Sequence, residues 1–305
     1  MKWVVTGGTG FIGRALTTEL IARGDEVAVL SRGSAPGSAG KARRVAWTPG
    51  RIGAWTQELE GADAVVNLAG AGVMDARWSE ARLAEVRSSR VDTTRVLAEA
   101  IATSKSRPGV LLSASAVGIY GMRMDDEMVD EDGAQGTDVL ARICQDWEKA
   151  AQPAREVGVR VAHPRIGIVF GRGGGALERM IPPFRAFVGG PIGSGQQWMS
   201  WIHVQDVVAA LCFAAQTASI TGPFNVVAPE PVRMQELART LGAVLGRPSA
   251  MRVPAFALRA LLGDGAEAIL TGQRVRPGRL LKAGFEFGHA RLREALEDVT
   301  SRKAA

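Results

Sequence analysis

Short, almost wholly apolar runs alternate along the first half of the chain with longer segments whose apolar positions recur every three or four residues. Lys2-Trp3-Val4-Val5-Thr6 is rich in β-branched residues and stops at a glycine, as a strand buried on both faces does. From Gly10 to about Arg23, residues Ile12, Ala15, Leu16, Leu20 and Ile21 fall on one helical face, and Gly24-Asp25 ends the segment. Glu26-Val27-Ala28-Val29-Leu30 predicts a second strand, Val45-Ala46-Trp47 a third and Ala64-Val65-Val66-Asn67-Leu68 a fourth. A long helix is expected from about Ser79 to Ser104, a fifth strand at Val110-Leu111-Leu112-Ser113, and a helix from Val139 to Val157. Val159-Arg160-Val161 opens a sixth strand. Strands alternating with helices of this length imply a parallel sheet covered on both faces, and right-handed crossovers make it a doubly wound α/β sheet.

The texture changes after Phe170. Residues 171–195 are rich in glycine and proline, with an apolar helix-like stretch from Ala176 to Val188 inside them. A helix at 204–217 and a strand at Phe224-Asn225-Val226-Val227 return to the sheet pattern, and short helices and loops follow from Pro229. The expected organisation is a nucleotide-binding domain of 1–170 and 201–228. A smaller, discontinuous substrate domain of 171–200 and 229–305 completes it.

Composition narrows the function. The chain has 305 residues, 46% hydrophobic and 22% charged, as a folded globular protein does. Its net charge is +6, but the basic residues are scattered and Arg43-Arg44 is the only adjacent pair of arginines or lysines before the C-terminal tail. No finger, recognition-helix or aromatic-basic platform pattern appears, so specific nucleic-acid binding is not expected. Cys144, Cys212 and three histidines offer no metal-ligand spacing, so no metal is expected. Without a signal-like core or a run of roughly 20 apolar residues, no membrane association is expected and a reduced cytoplasmic location fits best. The oligomeric state is left open.

The most specific chemistry lies at the end of the first strand. Gly7, Gly10 and Gly13, spaced three apart, sit between a predicted strand and a predicted helix. Gly7 would make the tight turn and Gly10 would let a diphosphate approach the helix N-terminus. Gly13 would allow close helix–strand packing. Thr6, Phe11 and Ile12 complete the loop. The second strand ends Leu30-Ser31-Arg32-Gly33, with no carboxylate for a ribose 2′-hydroxyl and an arginine suited to a 2′-phosphate, Arg14 being a second candidate for it. NADP is therefore favoured, with NAD possible.

Thr6-Gly7-Gly8-Thr9-Gly10-Phe11-Ile12-Gly13 resembles the opening of the extended short-chain dehydrogenase/reductases, the superfamily of NAD(P)-dependent epimerases and dehydratases with a Rossmann fold. Asn67-Leu68-Ala69-Gly70, the stretch Ser113 to Gly121 and Trp201-Ile202-His203-Val204-Gln205-Asp206 resemble further segments of it. Residues 189–204, 222–229, 272–275 and about 250–297 are similar to an atypical subgroup, the "epimerase family proteins", with a C-terminal domain of unknown function. The resemblance covers nearly the whole chain. It implies cofactor contacts from Leu68, Ala69, Gly70, Ser113 and Arg165.

It also implies a Tyr-x-x-x-Lys pair for proton transfer, and that pair is missing. The chain has one tyrosine, Tyr120, with Met124 four residues on. Leu140 and Cys144 fall where the tyrosine and lysine belong. Ser115 matches the serine that contacts the reacting oxygen, the alternative being a strand-end hydroxyl bonded to backbone. Tyr120 and Cys144 are the other catalytic candidates, with buried, inert roles as their alternatives. His203 is a pocket or structural residue, and His163 and His289 are structural. Met199 stands where nucleotide-sugar enzymes carry an arginine, so Trp198, Met199 and Trp201 imply a smaller or more apolar ligand. The expected function is an NADP(H)-dependent oxidoreductase or epimerase-type enzyme with a non-standard acid; a non-enzymatic NADP(H) sensor is the alternative.

Overall fold

Strands β1 (Lys2–Thr6), β2 (Glu26–Ser31), β3 (Ala42–Ala46), β4 (Ala64–Asn67), β5 (Val110–Ser113), β6 (Arg160–Ile166) and β7 (Gly222–Val226) form one parallel sheet. Their order across it is β7-β6-β5-β4-β1-β2-β3. The computed structural model describes residues 1–33, 38–39 and 42–301. Ser38–Ala39 adds an antiparallel step at the β3 edge, and Ser115–Ala116 runs alongside Arg165 and Ile166 at the end of β6.

Alternation along each strand divides the core. Trp3, Val5, Val27, Val29, Val66 and Leu112 face one side, and Val4, Ala28, Leu30, Val65 and Leu111 the other. Helix α1 (Phe11–Ala22) buries Leu16 and Leu20 against the first set. Helix α2 (Glu80–Thr103) buries Leu97, Ala98 and Ile101 against the second. Burial on both faces explains why these strands read as unbroken apolar runs. The doubly wound α/β class inferred from the alternation is the class observed.

Local chemistry sets the helix ends. Ser79 caps α2 by accepting from the Arg82 N–H at 3.2 Å. Asp138 caps α3 (Val139–Lys149), its carboxylate accepting from the N–H groups of Leu140 and Ala141. The helix expected to run through to Val157 instead ends at Lys149. A short helix, Gln152–Glu156, restarts where Pro153 fits the first turn and would disrupt an interior.

Beyond Phe170 a second core gathers residues distant in sequence. It joins Phe170, Leu177, Phe184, Met199, Trp201, Met234, Leu237, Leu241 and Leu296. Helices α4 (Ala176–Arg185), α6 (Met234–Leu245) and α7 (Leu292–Thr300) contribute to it, while α5 (Val204–Gln216) packs on the sheet core. Trp198–Met199 pairs antiparallel with Val232–Arg233, binding the glycine-rich stretch to the C-terminal part. The C-terminal part also reaches back to the first half of the chain: Arg274–Val275 pairs with Met128–Val129 in a separate two-stranded sheet, and Leu280 and Phe285 belong to the core of the main sheet.

Candidate functional site

The strand order reverses between β4 and β1, which opens a crevice at the carboxyl ends of the strands. The glycine loop lies there. Gly7 has φ +67, in the left-handed region, and its carbonyl accepts from the Gly10 N–H at 2.9 Å. A Cβ on Gly7 would stand 2.6 Å from the Leu68 carbonyl oxygen. One on Gly13 would overlap the Gly7 carbonyl and lie 2.6 Å from the Gly8 Cα. Only glycine permits this approach of α1 to β1.

Gly10 caps α1 without a side-chain acceptor, and no acid occupies the first turn. Among the described residues the N–H groups at that helix end meet no carboxylate, the electrostatic arrangement that attracts an anion. The flanking side chains brace the loop. Thr6 Oγ1 donates to Asn67 Oδ1 at 2.6 Å, so this fully buried hydroxyl belongs to the core and does not face the crevice. Phe11 turns its ring onto Gly171, Gly174 and Gly175, where any Cβ would overlap it, and Ile12 packs on the sheet core. Neither side chain carries a polar group for a ligand, so any hydrogen bond from these two residues comes from their backbone. Arg14 donates to the Thr9 carbonyl at 2.7 Å. At the tip of β2, Ser31 is half-buried and Arg32 exposed.

Behind the loop runs a buried polar chain. Asn67 Nδ2 donates to Thr94 Oγ1 at 2.7 Å, and Trp147 Nε1 donates to the same oxygen at 3.0 Å. Leu68 and Ala69 pack partly against the two sheet cores. The Ala71 N–H donates to Ser89 Oγ, and Arg90 Nη1 to the Ala71 carbonyl, which fixes the segment that contains Gly70. At the end of β5, the hydroxyls of Ser113 and Ser115 are buried without a partner among the described residues. Unsatisfied buried hydroxyls at the mouth of a crevice are groups that a bound molecule can complete.

Several residues expected at the site are engaged within the fold. Tyr120 is 2% exposed; its hydroxyl donates to Asn225 Oδ1 at 2.7 Å and accepts from Arg165 Nη1 at 3.0 Å. Burial pushes its pKa up to about 12, against the pull of the Arg165 guanidinium, so the phenol holds its proton. Arg165, expected to touch cofactor, forks onto both oxygens of Glu148 at 2.8 and 3.0 Å and donates to the Glu131 carbonyl. Burial opposes its charge, but the Glu148 bonds outweigh burial and raise its pKa. Its guanidinium is consumed within the fold. Burial likewise pushes the Cys144 thiol up to about 12, with Arg90 pulling only partly the other way. No thiolate is available there.

The expected pocket residues also separate. Trp201 is fully buried, stacked on Phe170 with ring centroids 5.6 Å apart, and Met199 is 9% exposed in the same core. Trp198 lies nearer the surface between the guanidinium groups of Arg233 and Arg274, and its Nε1 donates to Asp126 Oδ1. His203 caps α5, its Nδ1 accepting from the Gln205 N–H at 3.3 Å, and its ring stacks on His289 at 3.8 Å. Its Nε2 stands 3.3 Å from Asp298, which brings His203, His289 and Asp298 within reach of one another. Because Nδ1 accepts, the neutral ring carries its hydrogen on Nε2, where a metal would need a lone pair. The trio therefore suits a proton contact and not metal ligation. Burial, helped by His289, lowers the His203 pKa against Asp298.

Sequence reasoning gave no site role to Arg90, Glu148 and Asn225. Arg90 and Thr94 stand one turn apart on α2, a spacing that places them on one face; the others meet only through contacts distant in sequence.

A doubly wound sheet whose order reverses beside this glycine turn defines a Rossmann-type protein of the extended short-chain dehydrogenase/reductase class. The chain belongs to the NAD dependent epimerase/dehydratase family, whose model matches residues 3–227. Residues 253–299 match a domain of unknown function, DUF1731. The chain is 44% identical to the epimerase family protein SDR39U1 homolog, chloroplastic, of Arabidopsis thaliana, over 97% of this chain and 85% of that protein. It is 37% identical to the epimerase family protein YfhF of Bacillus subtilis, over 98% of each. The crystal structure of human epimerase family protein SDR39U1 (isoform 2) with NADPH superposes with a TM-score of 0.88 at 36% identity, covering 98% of this chain and 99% of that one. Among the described residues no helix is long and apolar enough to cross a membrane.

Proposed function

We propose that the chain binds NADP(H), in preference to NAD(H), along the carboxyl edge of the sheet. There it uses the cofactor in an oxidoreductase or epimerase-type reaction on a small substrate that is not a nucleotide sugar. The observation that carries this reading is the glycine loop, where a Cβ on Gly7 or Gly13 would meet backbone and the helix end has no side-chain cap. The NADPH in the human relative's structure agrees with it.

The residues present fit the cofactor. The N–H groups opening α1 would hold the diphosphate, and Arg32, with no carboxylate between Ser31 and Gly33, would hold the 2′-phosphate. The Leu68–Gly70 segment would line the ribose. When bound, the cofactor supplies or accepts a hydride. The unpartnered Ser113 and Ser115 hydroxyls would orient the reacting oxygen, with Ser115 closest in role to a catalytic group. Residues 171–200 and 229–305, parts of which share the second core, would form the substrate side. Burial holds Tyr120 and Cys144 protonated at neutral pH, so neither would serve as a base or nucleophile.

The test is consumption of NADPH with a panel of aldehydes, ketones and keto acids, followed by Ser115→Ala. A positioned hydroxyl predicts a rate loss on the order of a hundredfold or more with NADPH affinity intact. Equal turnover by wild type and variant contradicts the role of Ser115. The sealed state of Tyr120 and Cys144 favours a second reading, a non-enzymatic NADP(H) sensor. Tight NADPH binding with no turnover on any substrate would select it.

A further inference from the structure

The half-buried Arg90 occupies a place in the crevice that the glycine loop does not explain. Its Nη1 is held by the carbonyls of Ala71 at 2.9 Å and Val86 at 3.0 Å. Its guanidinium carbon lies 5.1 Å from the centre of the Trp147 ring, within cation–π range. Against it stands the Gly70 backbone: a Cβ there would be 3.1 Å from Cζ and 3.3 Å from both Nη atoms. The charge is thus held on one side by an indole and lies close to the Gly70 backbone on another.

What the guanidinium lacks is an anion. No carboxylate pairs with Arg90 among the described residues, and its Nη2 and Nε find no acceptor there, whereas Arg165, Arg87 and Arg279 all have acidic partners. Its neighbour Arg82 adds a like charge; burial and Arg82 together lower the Arg90 pKa, with only the Cys144 thiol on the other side of the balance. Cys144 in turn lies against the Ala116 backbone and near Arg90. A half-buried guanidinium held in place without a counter-charge is a group that an anionic ligand can complete.

We infer that Arg90 is a binding residue for an oxyanion of the bound small molecule, through its unpartnered Nη2 and Nε. The oxyanion is either a phosphate oxygen of the dinucleotide or an anionic group, carboxylate or phosphate, of the substrate. This rests on the crevice being the dinucleotide site, and it adds a second cationic contact, on α2, to the one proposed at Arg32. A planar fork fixed by Ala71, Val86 and Trp147 suits such a group better than a flexible ammonium.

The test compares wild type, Arg90→Gln and Arg90→Lys. Calorimetry follows NADPH binding. Tryptophan fluorescence, sensitive to Trp147 beneath the guanidinium, follows addition of sodium phosphate or sodium succinate to NADPH-saturated protein. If the dinucleotide supplies the oxyanion, Arg90→Gln weakens NADPH binding about tenfold or more, with Arg90→Lys in between. If the substrate supplies it, NADPH affinity is unchanged, but the phosphate or succinate response is lost in Arg90→Gln and weakened in Arg90→Lys. Should Arg90→Gln fail to fold, Arg90→Lys carries the comparison through its weaker response. NADPH affinity and anion response equal to wild type in the folded variants overturn the inference and leave Arg90 as a brace for Ala71. Wild type that ignores NADPH but shows an Arg90-dependent phosphate response would refute the dinucleotide reading and leave this one standing.

Discussion

Replacing Tyr120 by phenylalanine deletes a single oxygen from the layer beneath the crevice and separates a structural tyrosine from a catalytic one. The hydroxyl donates to Asn225 Oδ1 at 2.7 Å and accepts from Arg165 Nη1 at 3.0 Å, in a residue only 2% exposed. Arg165 keeps Glu148 and the Glu131 carbonyl, and Asn225 keeps its Nδ2 bond to the Arg276 carbonyl. Asn225 Oδ1 loses its donor. One neutral and one charge-assisted bond are lost and a buried acceptor is left unpaired, which together cost about 2–4 kcal/mol. The ring itself still fills its space, so no cavity term adds. In a chain of this size the melting temperature should fall by roughly 4–8 °C, at about 2 °C per kcal/mol. Denaturant unfolding of wild type and Tyr120→Phe measures the free energy, and NADPH titration of both tests the site. The account predicts loss of stability with little change in NADPH affinity. A variant as stable as wild type whose turnover collapses, with an altered pH profile, would refute the structural assignment of Tyr120.

Two further outcomes follow from the geometry. Gly13→Ala puts a Cβ into the Gly7 carbonyl and beside the Gly8 Cα, both backbone, so the loop must shift; NADPH affinity should fall at least about tenfold along with thermal stability, and unchanged affinity by calorimetry would count against the loop. Burial lowers the pKa of His163, whose Nδ1 donates to the Ser113 carbonyl, so the unfolded chain takes up a proton before the folded one as pH falls. Its share of stability is present above the unfolded pKa of about 6.5 and is lost on acidification toward the lower folded value. Melting temperatures should therefore drop between about pH 7 and pH 5, and less steeply in His163→Asn; parallel slopes would contradict the assignment.

What the sequence made legible was local. Burial on both faces wrote β1, β2, β4 and β5 as plain apolar runs, and the glycines at 7, 10 and 13 marked the loop because a turn and a close backbone contact leave no choice of residue. The strand Ala42–Ala46 was legible only at its end, because at the sheet's edge its Arg43 and Arg44 are exposed and interrupt the apolar pattern. The fates of Tyr120 and Arg165 were hidden for another reason. Tyr120 meets Asn225 across 105 positions and Arg165 meets Glu131 across 34, through packing that no spacing rule encodes. The surroundings of Trp201 and His203 were hidden similarly. An indole and an imidazole near a site look alike in sequence whether they line a pocket, stack in a core as Trp201 does on Phe170, or cap a helix as His203 does.

Calorimetric titration of the purified chain with NADPH and with NADH, repeated on Arg32→Ala, addresses the proposed cofactor directly. The account predicts that NADPH binds more tightly than NADH and that Arg32→Ala removes most of the difference, about tenfold or more in affinity for NADPH alone. Binding of neither nucleotide would contradict it, reducing the glycine loop to a packing device and removing the oxidoreductase and sensor readings together.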